Sequence, residues 1–237
     1  MPAATCHTRT TRRSGSSARR SSGPLSGHNG GVERWAEACE ALAAANPCMA
    51  KAIAAYGPCT LVKGRAAGGA FGALARSICY QQLAGRAAAA IHGRFAALYA
   101  GRPTPAAVAA TPDDVLRAAG LSANKAASIK DLAAKSLDGT LRLEGWGRQS
   151  DEEVIERLTQ VRGIGPWTAQ MFLMFQLNRP DVWPAADFGV GVGFARIHDL
   201  ATAPTARELA ALGDPYRPFR TIAAWYCWRA VDTPAFT

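Results

Sequence analysis

Between residues 151 and 187 the apolar positions change period twice, and the rest of the chain is organised around that stretch. Val154, Ile155, Leu158 and Val161 recur at helical spacing behind Asp151, Glu152 and Glu153, whose charges complement the positive end of a helix dipole. The pattern breaks at Gly163-Ile164-Gly165-Pro166 and resumes through Trp167, Met171, Met174 and Leu177. Both glycines permit positive φ and leave their amides uncovered, and Pro166 suits a first helical turn. Asn178-Arg179-Pro180-Asp181-Val182-Trp183-Pro184 cannot continue a helix, because each proline lacks a donor and restricts its predecessor; Asp187 follows.

Elsewhere the spacing predicts two short helices from Val32 to Tyr56, broken at Asn46-Pro47, and a buried helix from Phe71 to Gln82. Further helices are predicted over Arg86 to Tyr99, after Thr111-Pro112, over Ala123 to Ala134, and over Phe188 to Leu200, where three glycines weaken it. No segment alternates as a strand does. The expected class is all-α, a two-lobed helical bundle around a helix-hairpin-helix. The expected divisions are a disordered tail over 1–31, one lobe from 32–68 with 188–237, and a hairpin-bearing bundle over 69–187.

A hairpin of this kind aims successive backbone N–H groups and a helix N-terminus at one spot, which suits a phosphate and carries no sequence preference. A Gly-x-Gly between helices is by itself equally explained as a tight turn. Charge adds weight: the chain carries +9, of which Arg9, Arg12, Arg13, Arg19 and Arg20 sit in an acid-free, Ser/Gly-rich start. The remaining 22 basic and 18 acidic residues leave +4, which still favours an anionic partner. Hydrophobic residues make up 49%, much of it alanine, which favours closely packed helices; no apolar run reaches the roughly 18 residues of a membrane span. Cys6, Cys39, Cys48, Cys59, Cys79 and Cys227 include no C-x-x-C and read as reduced thiols of a cytosolic compartment, with no metal site.

Residues 161 to 190 resemble the helix-hairpin-helix plus Gly/Pro-Asp superfamily of DNA base-excision glycosylases, and within it the 3-methyladenine DNA glycosylase II group in its compact form without an extra β domain. The motifs are Gly-Ile-Gly-x-Trp-Thr-Ala at 163 to 169, Arg-Pro-Asp-Val at 179 to 182 and Pro-x-x-Asp at 184 to 187. A further likeness is the C-terminal Arg-Pro-Phe-Arg-Thr-Ile-Ala-Ala-Trp-Tyr-Cys-Trp of residues 217 to 228, with Tyr216 where relatives have Trp. The resemblance implies that Asp187 is the catalytic carboxylate and that Arg162, Gly163, Ile164 and Gly165 grip DNA. It implies that Gln81 and Gln82 face the minor groove. Leu83 is then the apolar wedge for the gap left by an extruded base, with Ala84 at the plug position.

Lys125 lies in a stretch, Gly120 to Ala126, that resembles a motif packed beside the hairpin; it reads as a phosphate contact or as a solvated lysine. Gly191 stands where relatives often have a basic residue, and the iron–sulfur cluster of some relatives has only Cys227 in its region. Candidate walls of a base pocket are Tyr80, Trp167, Trp183 and Trp225, with burial in a core as the competing role of each. Trp167 occupies the place of the lysine that attacks the sugar in members that also cut the backbone.

The expected activity is therefore monofunctional hydrolysis of N-glycosidic bonds of alkylated purines in duplex DNA, by a monomer. No cofactor is required, and a structural monovalent cation at the hairpin is implied by the likeness. Two other readings stay open: a noncatalytic DNA-binding module in which Asp187 only caps a helix, and a glycosylase for other damaged bases.

Overall fold

The structure, a computed structural model, describes residues 29–83 and 85–233; the expected basic tail lies outside them apart from its last residues, and so does Ala84. In chain order the helices are α1 (Asn29–Ala45), α2 (Pro47–Tyr56), α3 (Gly69–Tyr80), α4 (Gly85–Ala97), α5 (Pro105–Ala110), α6 (Asp113–Ala118) and α7 (Ala123–Leu137). They continue with α8 (Asp151–Thr159), α9 (Pro166–Met171), α10 (Phe188–Ile197), α11 (Ala206–Leu212) and α12 (Arg220–Asp232). No strand occurs among the described residues, and none of their helices is long and apolar enough to cross a membrane.

Local chemistry sets most of the boundaries. Asn46 accepts from the amides of Cys48 and Met49 while Pro47 supplies the first helical position of α2. Ser150 and Glu153 form a reciprocal capping box at the head of α8, as Thr205 and Glu208 do at α11, each cap contributing about 1 kcal/mol.

The apolar helix expected through Leu177 changes character instead: α9 ends at Met171 and residues Phe172–Leu177 form π-helical turns. A continuing α-helix would direct the Arg179 amide to the Phe175 carbonyl, but that amide turns back to Leu173, closing over Asn178 at φ 60°. The Phe175 carbonyl then accepts from Gly64, a position where a Cβ would lie 3.0 Å from that oxygen. Arg179 holds the turn in place by pairing with Asp151 and donating to the Trp146 and Gln149 carbonyls.

The described residues divide into two compact units, 29–62 with 183–233, and those between 63 and 182. These divisions come a few residues before the expected 68 and 187, so the segment from Trp183 to Asp187 belongs to the first unit.

In the first unit α10 lies directly on α12. A Cβ on Gly193 would sit 1.9 Å from the Cys227 carbonyl, so a glycine that weakens the helix locally is what permits the approach. Around this contact Met49, Ala52, Val190, Ile222 and Tyr226 are fully buried, and Tyr226 donates to the Gly57 carbonyl.

In the second unit Leu74, Ile78, Ile129, Leu132, Val154, Leu158, Leu173 and Met174 form the core, each stabilising by about 2 kcal/mol relative to exposure. The five described cysteines are buried and unbridged, and burial pushes Cys59 and Cys79 up to about 12, which makes them inert thiols.

Candidate active site

The hairpin joining α8 to α9 is braced by side chains from two other elements. Gly163 has φ +76°, and a Cβ there would meet the Ser128 hydroxyl at 2.5 Å, so its glycine is required twice over. Gly165 departs from expectation: its φ is −95° and nothing lies near its missing Cβ, so its use is to leave the head of α9 without a side-chain cap. The Arg162 amide donates to Asp131 on α7 at 2.8 Å, and the Gly163 carbonyl accepts from the Gln81 side chain at 2.8 Å. Burial alone would raise the Asp131 carboxyl, but hydrogen bonds from Lys135 and the Arg162 amide outweigh it and hold the group below the usual carboxylate range. Ile164 is buried, so only its backbone can meet a ligand.

Beside the hairpin, within the same unit, is a cavity of about 690 Å³ lined by Arg76, Tyr80, Gln81, Trp167, Met171 and Phe175 among others. Trp167 and Tyr80 both line this cavity, and Trp167 is 45% exposed. The Arg76 guanidinium lies 4.4 Å from the centroid of the Tyr80 ring.

Asp187 caps α10 in the first unit. Its Oδ1 accepts from the Val190 amide at 2.8 Å and from the indole N–H of Trp228 at 2.9 Å. The corner is crowded: a Cβ on Gly189 would lie 2.9 Å from the Trp228 ring and 3.1 Å from Oδ1. Burial first, and then the charge of Asp187, push the Cys227 thiol up. A half-buried carboxylate with two converging donors has a defined direction, which is what stabilising a positive charge developing at one atom requires.

Residues 75–218, more than half of the chain, match the family model described as HhH-GPD superfamily base excision DNA repair protein. The chain belongs to the HhH-GPD superfamily. It is 40% identical over 167 residues to DNA-3-methyladenine glycosylase 1 of Schizosaccharomyces pombe, covering 69% of this chain and 73% of the relative. The solved structure of Schizosaccharomyces pombe 3-methyladenine DNA glycosylase (Mag1) in complex with abasic DNA superimposes with a TM-score of 0.75 at 33% identity, covering 85% of this chain and 99% of that one. A Bacillus halodurans DNA-3-methyladenine glycosidase does so with a TM-score of 0.75 at 31% identity, covering 84% and 90%.

Within this HhH-GPD chain several expected roles change. Trp183 is not a pocket wall: it is 7% exposed, its indole donates to the Leu209 carbonyl, and a Cβ on Gly213 would overlap its ring. Lys125 does not project as a solvated lysine. Its Nζ donates to the Cys79 carbonyl in the last turn of α3, and burial lowers its pKa against an opposing pull from Cys79.

Gln81 is committed to Gly163 and Thr168, whereas Gln82, at φ 55°, and Leu83, 40% exposed, stand on the surface of the turn. Trp225 is half-buried against Tyr226 with Arg229 over its ring. The residue that sequence reasoning passed over is Trp228: it stands in the sequence only as the last position of the C-terminal likeness, and it is the one that donates to Asp187.

Proposed function

We propose that this chain is a monofunctional DNA glycosylase that acts as a monomer on alkylated purines in duplex DNA, in the compartment that holds the genome. The observation that carries the reading is Asp187, an acidic side chain aimed by the Val190 amide and the Trp228 indole. Breaking the N-glycosidic bond moves its electron pair to the purine and leaves positive charge on the sugar, as in glycoside hydrolysis. A carboxylate facing C1′ stabilises that charge and orients the water that adds there, the water's proton passing to the carboxylate or to solvent.

A 3- or 7-alkylated purine is cationic before cleavage and departs neutral, so a single carboxylate suffices. Trp167 supplies no amine to attack the sugar, and the product is then an intact strand with an abasic site. The hairpin contributes grip: the uncapped head of α9 and the glycine amides present donors to a phosphate without reading sequence. A monovalent cation bridging the hairpin and that phosphate would find oxygens at Val161 and Gly163, each with a second lone pair beyond the hydrogen bond it accepts, and its role would be structural.

The relatives named for 3-methyladenine support the substrate class. The test is release of 3-methyladenine and 7-methylguanine from methylated duplex DNA, with strand breaks appearing only after alkali. Duplex binding without any base release would instead identify a noncatalytic DNA-binding module.

A further inference from the structure

We infer that Phe188 is a substrate-contact residue: its ring packs against the deoxyribose of the nucleotide whose C1′ faces Asp187. The inference rests on the glycosylase reading and deepens it by naming what holds the sugar.

Phe188 is 84% exposed, the highest value among the described large apolar side chains, with Val62 next at 64%. A phenylalanine left in water forgoes the burial that usually decides its place. It opens α10 directly after the Asp187 cap, so the two Cα atoms lie about 3.8 Å apart. Val190 and Gly191 are buried, and Phe188 is the side chain of this first turn that stands in solvent. The chain around it is bare: Ala186 ends at its Cβ, and at Gly189 the Trp228 ring lies 2.9 Å from where a Cβ would be. From Val182 to Ala195 the only charged residue is Asp187. Beyond the carboxylate, then, this helix head offers a ligand an apolar contact.

A carboxylate that acts at C1′ needs the sugar brought to it, and a ring one residue away reaches the same sugar. Deoxyribose carries no hydroxyl at C2′, so its edge beside C1′ presents C–H groups and suits an aromatic face. The two side chains divide the work. Asp187 answers the charge that forms, while Phe188 fixes where the sugar sits. Such a contact requires the nucleotide to be turned out of the stack, so it separates an extruded site from ordinary duplex. Being apolar, it is also indifferent to salt, unlike a grip on phosphate.

The experiment measures the affinity of the full chain, across a range of salt, for three duplexes: undamaged, carrying a tetrahydrofuran abasic analogue, and carrying an acyclic propanediol spacer that keeps the gap but lacks the sugar ring. The native chain is compared with Phe188→Ala and Phe188→Leu, and thermal melting of each checks folding. Phe188→Ala is expected to weaken binding to the tetrahydrofuran duplex by about tenfold, the scale of burying one aromatic side chain. Its affinity for the other two duplexes and its salt slope should stay native. Phe188→Leu keeps an apolar group of similar reach and should remain within about threefold of native. Unaltered binding to the tetrahydrofuran duplex in Phe188→Ala overturns the inference alone. An equal loss on undamaged DNA does so too, by making the ring a general duplex contact, and an equal loss on the propanediol duplex by making it a wedge in the stack. A native chain that releases no base from methylated duplex DNA overturns the glycosylase reading and this inference with it.

Discussion

Two helix N-termini in this protein are built oppositely. The head of α10 is capped by Asp187, so the positive end of that helix is met by the chain's own carboxylate, and an indole donor joins it. The head of α9 follows a glycine that gives it no side-chain cap. Helix ends are interchangeable in their dipoles. What separates them is the residue at the cap, which makes one end a holder of negative charge and leaves the other without a side chain upon it. The proposed function uses both, one end to grip a phosphate and the other to stabilise a developing cation.

The strongest break of this contrast is Asp187→Asn, which keeps the size and the cap but removes the charge. Base release is expected to fall by at least about a hundredfold. Affinity for abasic duplex should be retained, as measured by single-turnover release beside equilibrium binding. Unchanged release would remove the carboxylate from the mechanism.

Acid should separate the two regions next. His198, stacked on Phe194 and bonded to Tyr216 in the first unit, is held neutral by burial, with its pKa lowered from 6.5 to about 4. The folded state refuses a proton that the unfolded chain accepts, so its contribution is whole above pH 6.5 and drains away down to about 4. The loss amounts to about 3 kcal/mol. The depressed Asp131 carboxyl beside the hairpin stabilises above its ordinary value of 3.8 and is lost only as pH falls below that. Urea midpoints between pH 7 and 4 should therefore fall in the native chain and fall less steeply in His198→Gln, the remaining slope belonging to His92, whose pKa burial also lowers; an unchanged slope in the variant assigns it elsewhere.

Trp228→Phe removes one of the two donors on Asp187 while keeping an aromatic ring. A hydrogen bond to a charged group stabilises by about 1.5 to 3 kcal/mol, and kcat should fall about tenfold with little change in KM. A change confined to KM would mark Trp228 as a binding surface instead.

The smallest effect compares the hairpin glycines. Gly163→Ala forces a side chain into φ +76° and against Ser128, costing about 1 to 2 kcal/mol locally, and duplex affinity should drop several-fold. Gly165→Ala, at φ −95° with open space around it, should leave stability as it was. Equal losses in a binding titration would undo the distinction between the two.

How much of this was legible beforehand depends on the range of the interactions. The acidic first turn from Asp151 to Glu153, the break at Asn46-Pro47, the hairpin turn and Asp187 ahead of a helix are settled within four residues, and reading along the chain reaches that far. The same local chemistry, with alanine-rich helical spacing and no alternating run, determined the all-helical class. The fate of the aromatics was not settled locally. Trp183, Trp225 and Trp228 are alike in the sequence, yet one is sealed under Gly213, one lies half-buried against Tyr226 and one donates to Asp187 across 41 residues.

Lys125 and Gly193 belong with them: the first finds its carbonyl 46 residues away, and the second is needed because the backbone of α12 passes within touching distance. Side chains that can serve equally well in a core or at a surface take their role from whichever helix arrives opposite them. Tertiary packing alone decides which helix that is.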